Sequence, residues 1–115
     1  MDPLFKEDAA KGSGARKVLD TSVAISMDEG VITVFSLIEH PPSSKKRFDI
    51  LYPEVLDFVV AVDLAKRLRG IGRPIGAVDC LIASMCLNRS SQLITRDKDF
   101  LSIKNVVEGF NLKII

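Results

Sequence analysis

The sequence predicts an α/β fold in which a central sheet of parallel strands is covered on both faces by helices. Short apolar runs of the kind that form buried strands alternate along the chain with longer segments of helical character. Strands separated by helical crossovers pair in parallel, and such a sheet buries both of its faces. The 115 residues are enough for one domain with an ordinary core.

The first part of the chain predicts two strands and a short helix. Residues 17–19 form the first strand, and residues 25–30 form a short connection to a second strand. The second strand ends in the β-branched run 31–34, which favours extended backbone. It runs into a short helix over 35–40, which ends at Pro41 because proline cannot continue a helix.

The middle of the chain predicts one strand and the longest helix. A polar loop over 42–47 leads to a strand over 48–52. Pro53 stands at the first turn of a helix, a position that proline tolerates, and Gly70 ends that helix near residue 69.

The last part of the chain repeats the pattern of helix followed by strand. A helix over 75–88 has apolar residues at helical spacing and leads to a strand over 92–95. A helical turn over 99–103 precedes a last strand over 112–115.

The N-terminal segment differs in composition from the rest of the chain. Residues 1–15 have a polar, turn-forming composition without apolar periodicity, so we expect a flexible N-terminal arm or a remnant of cloning there. Residues 16–115 are expected to form a single domain.

Composition excludes several classes of protein. Hydrophobic residues make up 47% and charged residues 27% of the chain, which is typical of globular proteins. No apolar stretch approaches the ~20 residues that a membrane span needs, and no signal peptide is recognisable. We therefore expect a cytoplasmic protein that does not contact a membrane, in which Cys80 and Cys86 are reduced core residues.

Acidic residues stand where predicted strands end. Asp20 follows the first strand directly, and Asp97 follows the run 93–96. In an open α/β sheet the ligand crevice lies at the carboxyl ends of the strands, so both side chains point into it. Glu39 ends the short helix that starts beside the second strand, and it can lean back toward Asp20.

Asp79 lies within an otherwise apolar helix. Its helical neighbours include Ile75, Ile82 and Cys86, so its carboxylate projects from a buried face. Burial of an unpaired carboxylate costs several kcal/mol or forces its protonation, so a cation, a network of donors or a metal must compensate. The alternative is that backbone amides at the start of a neighbouring helix donate hydrogen bonds to the Asp79 carboxylate.

Together, these four carboxylates come from four segments that converge on one edge of the sheet. Clustered acids repel one another and cannot all ionise without cations, which predicts a bound divalent metal. Ligation by oxygen alone, without histidine or cysteine, favours Mg²⁺ or Mn²⁺ over zinc.

The acids lie in four segments of recognisable pattern. The segments are Leu19-Asp20-Thr21-Ser22-Val23, Thr33-x-x-Ser36-x-x-Glu39, Gly72-Arg73-Pro74-Ile75-Gly76-Ala77-Val78-Asp79-x-x-Ile82-Ala83 and Ile94-Thr95-Arg96-Asp97-Lys98-Asp99-Phe100. In this order, they resemble the four acidic motifs of the PIN-domain ribonucleases, especially the VapC-type toxins. The resemblance runs from about residue 17 to the C-terminus.

The resemblance implies both a fold and an activity. The fold is a Rossmann-like three-layer α/β/α PIN domain, and the activity is Mg²⁺- or Mn²⁺-dependent endonucleolytic cleavage of RNA by the toxin of a toxin–antitoxin pair. Carried over by position, the catalytic and metal-binding residues are Asp20, Glu39, Asp79 and Asp97, with Asp99 as a further metal ligand and Thr21, Ser22 and Thr95 as supporting hydroxyls. The implied partners are RNA, an antitoxin protein and a second copy of the chain.

The chain departs from the family pattern between the first two motifs. Only 18 residues separate Asp20 from Glu39, so we expect the first helical hairpin to be shortened to a turn. This departure supports an alternative function, a catalytically degenerate PIN-fold module that binds RNA or a protein without turnover. A phospho-acceptor domain of the receiver type fits less well, because neither Lys98 nor Lys104 stands where its lysine is needed.

The helix predicted over 53–69 is apolar on nearly its whole circumference. One sheet cannot cover such a helix, so either a second subunit or the following helix must cover its outer side. The first possibility predicts a homodimer, and the second a monomer.

Overall fold

The computed structural model describes residues 15–115. The predicted N-terminal arm over 1–15 lies outside the described residues except for Ala15. In the described part of the chain, no helix is both long enough and apolar enough to cross a membrane.

Strands and helices alternate through residues 15–115. The strands are β1 (Lys17–Leu19), β2 (Glu29–Thr33), β3 (Arg47–Leu51), β4 (Gln92–Thr95) and β5 (Leu112–Ile114). The α-helices are α1 (Thr21–Ala24), α2 (Val34–Glu39), α3 (Val55–Gly70) and α4 (Ala77–Asn88). Two 3₁₀ helices, Pro41–Lys45 and Lys98–Asn105, complete the described elements.

All strand pairs in the described residues are parallel, which confirms the predicted α/β class. One group of strands has the order β1-β4-β5, and β2 pairs with β3 in a second group. The two groups meet where β1 lies beside β2. Gly30 is required at this junction, since its φ is +139° and a Cβ atom there would lie 2.9 Å from Leu19 Cδ1.

The core has two parts, one on each face of the strands. Val18 and Leu93 pack with the buried residues of α3 and α4, whereas their neighbours Leu19 and Ile94 pack with α1 and β2. Successive residues of a strand face opposite sides, so this division shows that both faces are covered. The arrangement is the predicted layering of helices around parallel strands.

Element boundaries differ from the predicted ones for identifiable reasons. Strand β2 begins at Glu29, inside the predicted connection, because Glu29 pairs with Arg47 in the ladder. The segment after Pro41 is a 3₁₀ helix rather than a loop, with proline in its first turn. The short helix α1 has four residues, which confirms the expected shortening of the first helical hairpin.

The start of α3 is set by a reciprocal cap rather than by Pro53. The Glu54 side chain accepts from the backbone of Asp57, and the Asp57 side chain accepts from the Glu54 amide at 2.7 Å. These bonds satisfy amides that have no partner within the helix, so the helix begins at Val55.

Helices α3 and α4 are joined by a buried ion pair. The Asp57 carboxylate, 1% exposed, accepts from Arg89 Nη1 at 2.9 Å, Arg89 Nη2 at 3.0 Å and Asn88 at 2.8 Å. Burial by itself raises the pKa of Asp57, but the hydrogen bonds from Arg89, Glu54 and Asn88 hold that pKa below its ordinary value. Asp57 is therefore a structural acid that joins the start of α3 to the end of α4.

Candidate functional site

Parallel pairing of β1 with β4 brings Asp20 next to the segment that carries Asp97. Leu19 lies opposite Ile94 in the ladder, and the Asp20 amide donates to the Ile94 carbonyl at 2.9 Å. Both acids therefore follow the carboxyl ends of adjacent strands, as the sequence predicts.

Two hydroxyl groups hold the Asp20 carboxylate. The fully buried Thr95 donates to Asp20 Oδ2 at 2.8 Å, and Ser22 donates to the same oxygen at 3.2 Å. Thr95 Oγ1 also accepts from the Asp97 amide at 2.9 Å, so one side chain links the two acids. The donors fix Asp20 and leave its Oδ1 without a hydrogen bond within residues 15–115.

Glu39 is tied to the same region through α1. Thr21 Oγ1 lies 3.0 Å from Glu39 Oε1 and 2.8 Å from Ser36 Oγ. Because Thr21 directly follows Asp20, this contact connects the end of α2 to the end of β1. The shortened helix therefore leaves Glu39 in contact with the segment that carries Asp20.

Asp97 begins a sharp turn into the second 3₁₀ helix. Its Oδ1 accepts from the Asp99 amide at 2.9 Å, an arrangement that caps the helix start. Asp99 itself is exposed.

Asp79 lies in the first turn of α4 and is only partly buried. The predicted buried face is therefore only partly closed at Asp79, because the first turn of α4 opens to solvent and Val78 is 44% exposed. No hydrogen bond or ion pair reaches the Asp79 carboxylate from residues 15–115, so backbone amides do not compensate its charge.

Electrostatics show that the acids gather around Asp79. Burial, followed in decreasing order by the negative charges of Asp20, Asp97, Glu39 and Asp99, raises the pKa of Asp79 to about 6. The other four carboxylates named by the sequence are thus within electrostatic reach of Asp79 at the carboxyl edge of the strands.

The carboxylates are near one another but do not converge on a single point. Within residues 15–115, no three histidine, cysteine, aspartate or glutamate side chains stand close enough together to hold a metal ion. The donor set still fits a hard divalent cation, since it consists of carboxylate oxygens and includes the Asp79 carboxylate, which no donor in the described part of the chain satisfies.

A cleft adjoins the acids. It has a volume of about 370 Å³, with Glu39 and Asp79 on its wall. Its other lining residues are apolar or small: Phe35, Ile38, Gly76, Ala77 and Val78.

Two residues of the site were given no role by the sequence. Ser36 is buried and contacts Thr21, and the only signal for it was its place in the segment Thr33-x-x-Ser36-x-x-Glu39. Arg96 contacts Ser22 through its backbone amide and its guanidinium. The signal for Arg96 was a basic residue placed directly before Asp97.

Comparison with known folds gives several close structural matches. A chain from the VapBC-5 toxin–antitoxin complex of Mycobacterium tuberculosis superposes with a TM-score of 0.70 at 21% identity, covering 88% of this chain and 99% of that one. A chain from VapBC2 of Rickettsia felis, bound to a promoter DNA fragment, gives 0.67 at 17% identity, with 85% and 97% covered. VapBC-1 of nontypeable Haemophilus influenzae gives 0.67 at 22% identity, with 85% and 96% covered.

Sequence comparison identifies the family. No curated protein matches the chain, but the PIN domain model matches residues 42–106. The match contains Asp79 and Asp97, whereas Asp20 and Glu39 precede it, and the structural matches extend over most of the chain. With more than half of its residues matched by the family model, the chain belongs to the PIN domain family.

Proposed function

We propose that this chain is a Mg²⁺- or Mn²⁺-dependent endoribonuclease and the toxin of a toxin–antitoxin pair. The observation that carries the proposal is the gathering of Asp20, Glu39, Asp97 and Asp99 around an Asp79 carboxylate that receives no donor from residues 15–115. Membership of the PIN domain family and the likeness of the fold to VapBC chains support it.

The metal would be held by the acids at the carboxyl edge of the strands. Asp20, Glu39, Asp79 and Asp97 are the proposed ligands, with Asp99 as a further one. A divalent cation bound there supplies charge neutralisation at the attacked phosphate and lowers the pKa of a water molecule.

Hydrogen bonds within the chain position two of the proposed metal ligands, Asp20 and Glu39. Thr95 and Ser22 orient Asp20 through its Oδ2, which leaves Oδ1 as the available ligand atom. Thr21 restrains Glu39. Covalent catalysis by cysteine is disfavoured, because both thiols are buried and burial raises the pKa of Cys86 to about 12.

We also propose an antitoxin as the protein partner, and RNA as the substrate. The structural matches are VapBC complexes, and that of Rickettsia felis is bound to promoter DNA. A toxin that meets RNA and its antitoxin acts in the cytoplasm, so we place the protein there.

An exposed apolar face on α3 supports self-association of the chain. On α3, Val55, Leu56, Phe58, Val59 and Val62 are each more than half exposed even though α3 packs against α4. Packing on α4 thus leaves a contiguous apolar face uncovered, and a second copy of the chain would cover it.

A non-catalytic PIN module is the alternative function. It is favoured by the spacing of the acids, which do not converge on one point within residues 15–115. Against it stands the cost of keeping an unsatisfied, partly buried Asp79, which a purely structural or binding domain would not need.

Cleavage of a folded RNA in Mn²⁺ tests the activity. We expect the wild type to cleave, and Asp20→Asn, Asp79→Asn and Asp97→Asn to lose about 100-fold or more in rate with their circular dichroism unchanged, because each loses a charged ligand. Asp63→Asn is the matched control, since Asp63 forms only an exposed ion pair with Arg67 at 3.0 Å. A folded wild type that cleaves no RNA would favour the non-catalytic module.

Thermal unfolding tests the metal site without relying on activity. Mn²⁺ at about 100 times its dissociation constant stabilises a single-site protein by about 2.7 kcal/mol. We expect a rise in melting temperature for the wild type and for Asp63→Asn, and a much smaller one for Asp79→Asn. An equal rise in all three proteins would contradict the assignment of Asp79 as a ligand.

A further inference from the structure

Arg96 is the cationic side chain that hydrogen bonds fix at the candidate site. It lies between Thr95 and Asp97, which carry the links to Asp20. Its Nε donates to the Ser22 carbonyl at 3.3 Å, and its backbone amide donates to Ser22 Oγ at 3.2 Å. Ser22 in turn donates to Asp20. Arg96 is therefore held at both its backbone and its side chain.

The terminal nitrogens of Arg96 are free within the described chain. Although Asp97 follows it directly, Arg96 has no carboxylate within 4.0 Å among residues 15–115, and its Nη1 and Nη2 atoms make no hydrogen bond there. The side chain is exposed. A guanidinium that is tethered by Nε presents its remaining N–H groups as a planar pair, which matches two oxygens of a phosphate.

A cationic side chain is needed beside the carboxylates because they repel the phosphates of RNA. RNA is a polyanion, and the site presents the five carboxylates of Asp20, Glu39, Asp79, Asp97 and Asp99. Lys98 is also nearby in sequence, but it makes no hydrogen bond within residues 15–115, so binding must restrain its long side chain. Arg96 has lost part of this freedom already, because Ser22 holds it.

We propose that Arg96 binds a backbone phosphate of the RNA beside the acidic residues and so positions the strand for cleavage. This inference rests on the proposed function for its substrate. The contact reads no base, so it adds affinity and register but no sequence preference.

The test uses RNA binding as well as cleavage. Anisotropy of a short, fluorescein-labelled single-stranded RNA is measured in Mn²⁺ with Asp79→Asn, which blocks turnover under the proposed function, and with Arg96→Gln or Arg96→Lys added to it. Arg47→Gln is the matched control. Arg47 begins β3 at the amino ends of the strands, away from the acids, and its ion pair with Glu29 is long, at 3.9 Å.

We expect Arg96→Gln to weaken RNA binding about 10- to 100-fold, the range for one charge-assisted contact. The slope of log affinity against log salt should fall by about 0.7, the value for one phosphate of a single strand. Arg96→Lys keeps the charge, so its salt slope should stay near that of the parent while its affinity falls less. In the wild-type background, Arg96→Gln should raise KM for cleavage more than it lowers kcat.

Three outcomes would overturn the inference. One is that Arg96→Gln binds RNA no more weakly than Arg47→Gln. Another is that Arg96→Gln leaves the salt slope unchanged but, in the wild-type background, lowers the rise in melting temperature with Mn²⁺. That result would indicate that Arg96 only holds Ser22 in place. The third is that the parent does not bind RNA. Binding that depends on Arg96 in a protein that never cleaves would support this contact and reject the nuclease.

Discussion

Replacing Asp79 with asparagine should stabilise the metal-free protein at neutral pH. The pKa of Asp79 is raised to about 6 from an ordinary value of 3.8, because burial and four neighbouring acids disfavour its charged form. A group whose pKa is higher in the folded state stabilises the fold at low pH and loses that contribution as pH rises through its folded pKa. For Asp79 the loss falls between about pH 4 and pH 6.

The expected gain in the free energy of unfolding follows from the difference between the folded and ordinary pKa values of Asp79. A pKa about two units higher in the folded state corresponds to about 3 kcal/mol. Asp79 is only partly buried, and solvent screening reduces the figure to about 1–2 kcal/mol. For a domain of this size we expect Asp79→Asn to raise the melting temperature by about 4–10 °C above pH 7, and by much less near pH 4.

Thermal unfolding in EDTA, followed by circular dichroism from pH 4.5 to pH 8, measures this change. Asp63→Asn serves as the control, because its exposed pair with Arg67 is expected to contribute less than about 1 kcal/mol. The reasoning is refuted if Asp79→Asn is no more stable than the wild type at pH 7.5. It is also refuted if the gain is the same at both ends of the pH range.

Three further changes test other parts of the structure. Asp57→Asn removes the buried carboxylate that pairs with Arg89 and leaves only the exposed Glu54, at 3.4 Å, as a charged partner, so it should cost about 3 kcal/mol in urea unfolding, and a loss below 1 kcal/mol would contradict the buried pair. The contribution of Asp57 to the free energy of unfolding should be lost as pH falls through its lowered pKa, whereas that of Asp79 is lost as pH rises. Gly30→Ala should cost about 2 kcal/mol or more through its positive φ and its contact with β1, and a neutral effect would refute that geometry. Light scattering should give about twice 12.6 kDa for a dimer, with Val59→Glu or Val62→Glu yielding a folded monomer; a wild-type mass near 12.6 kDa would reject self-association.

Local patterns predicted the strands well where burial is continuous. The bounds of β1 and β4 agree with the predicted ranges 17–19 and 92–95, because both strands are short apolar runs flanked by polar residues. The positions of Asp20 and Asp97 at the ends of these strands followed directly, since topology alone brings parallel strand ends to one edge.

Patterns were less informative where a specific contact, rather than local propensity, sets the boundary of an element. The start of α3 depends on the reciprocal bonds between Glu54 and Asp57, and glutamate is not a usual capping residue. The beginning of β2 depends on its pairing with Arg47, 18 positions beyond Glu29. The pairing with Arg47 has no signature within the segment whose boundary it sets.

Asp57 and Asp79 show what sequence can and cannot say about a buried acid. Each is an aspartate among apolar helical residues. In the structure, Asp57 accepts hydrogen bonds from Arg89, Asn88 and the Glu54 amide, and its pKa is lowered. Asp79 receives no donor from residues 15–115, and its pKa is raised. Only the first arrangement stabilises the fold. The second is a cost to the metal-free protein, and a charged ligand at the site would remove that cost, which is why Asp79 and not Asp57 indicates function.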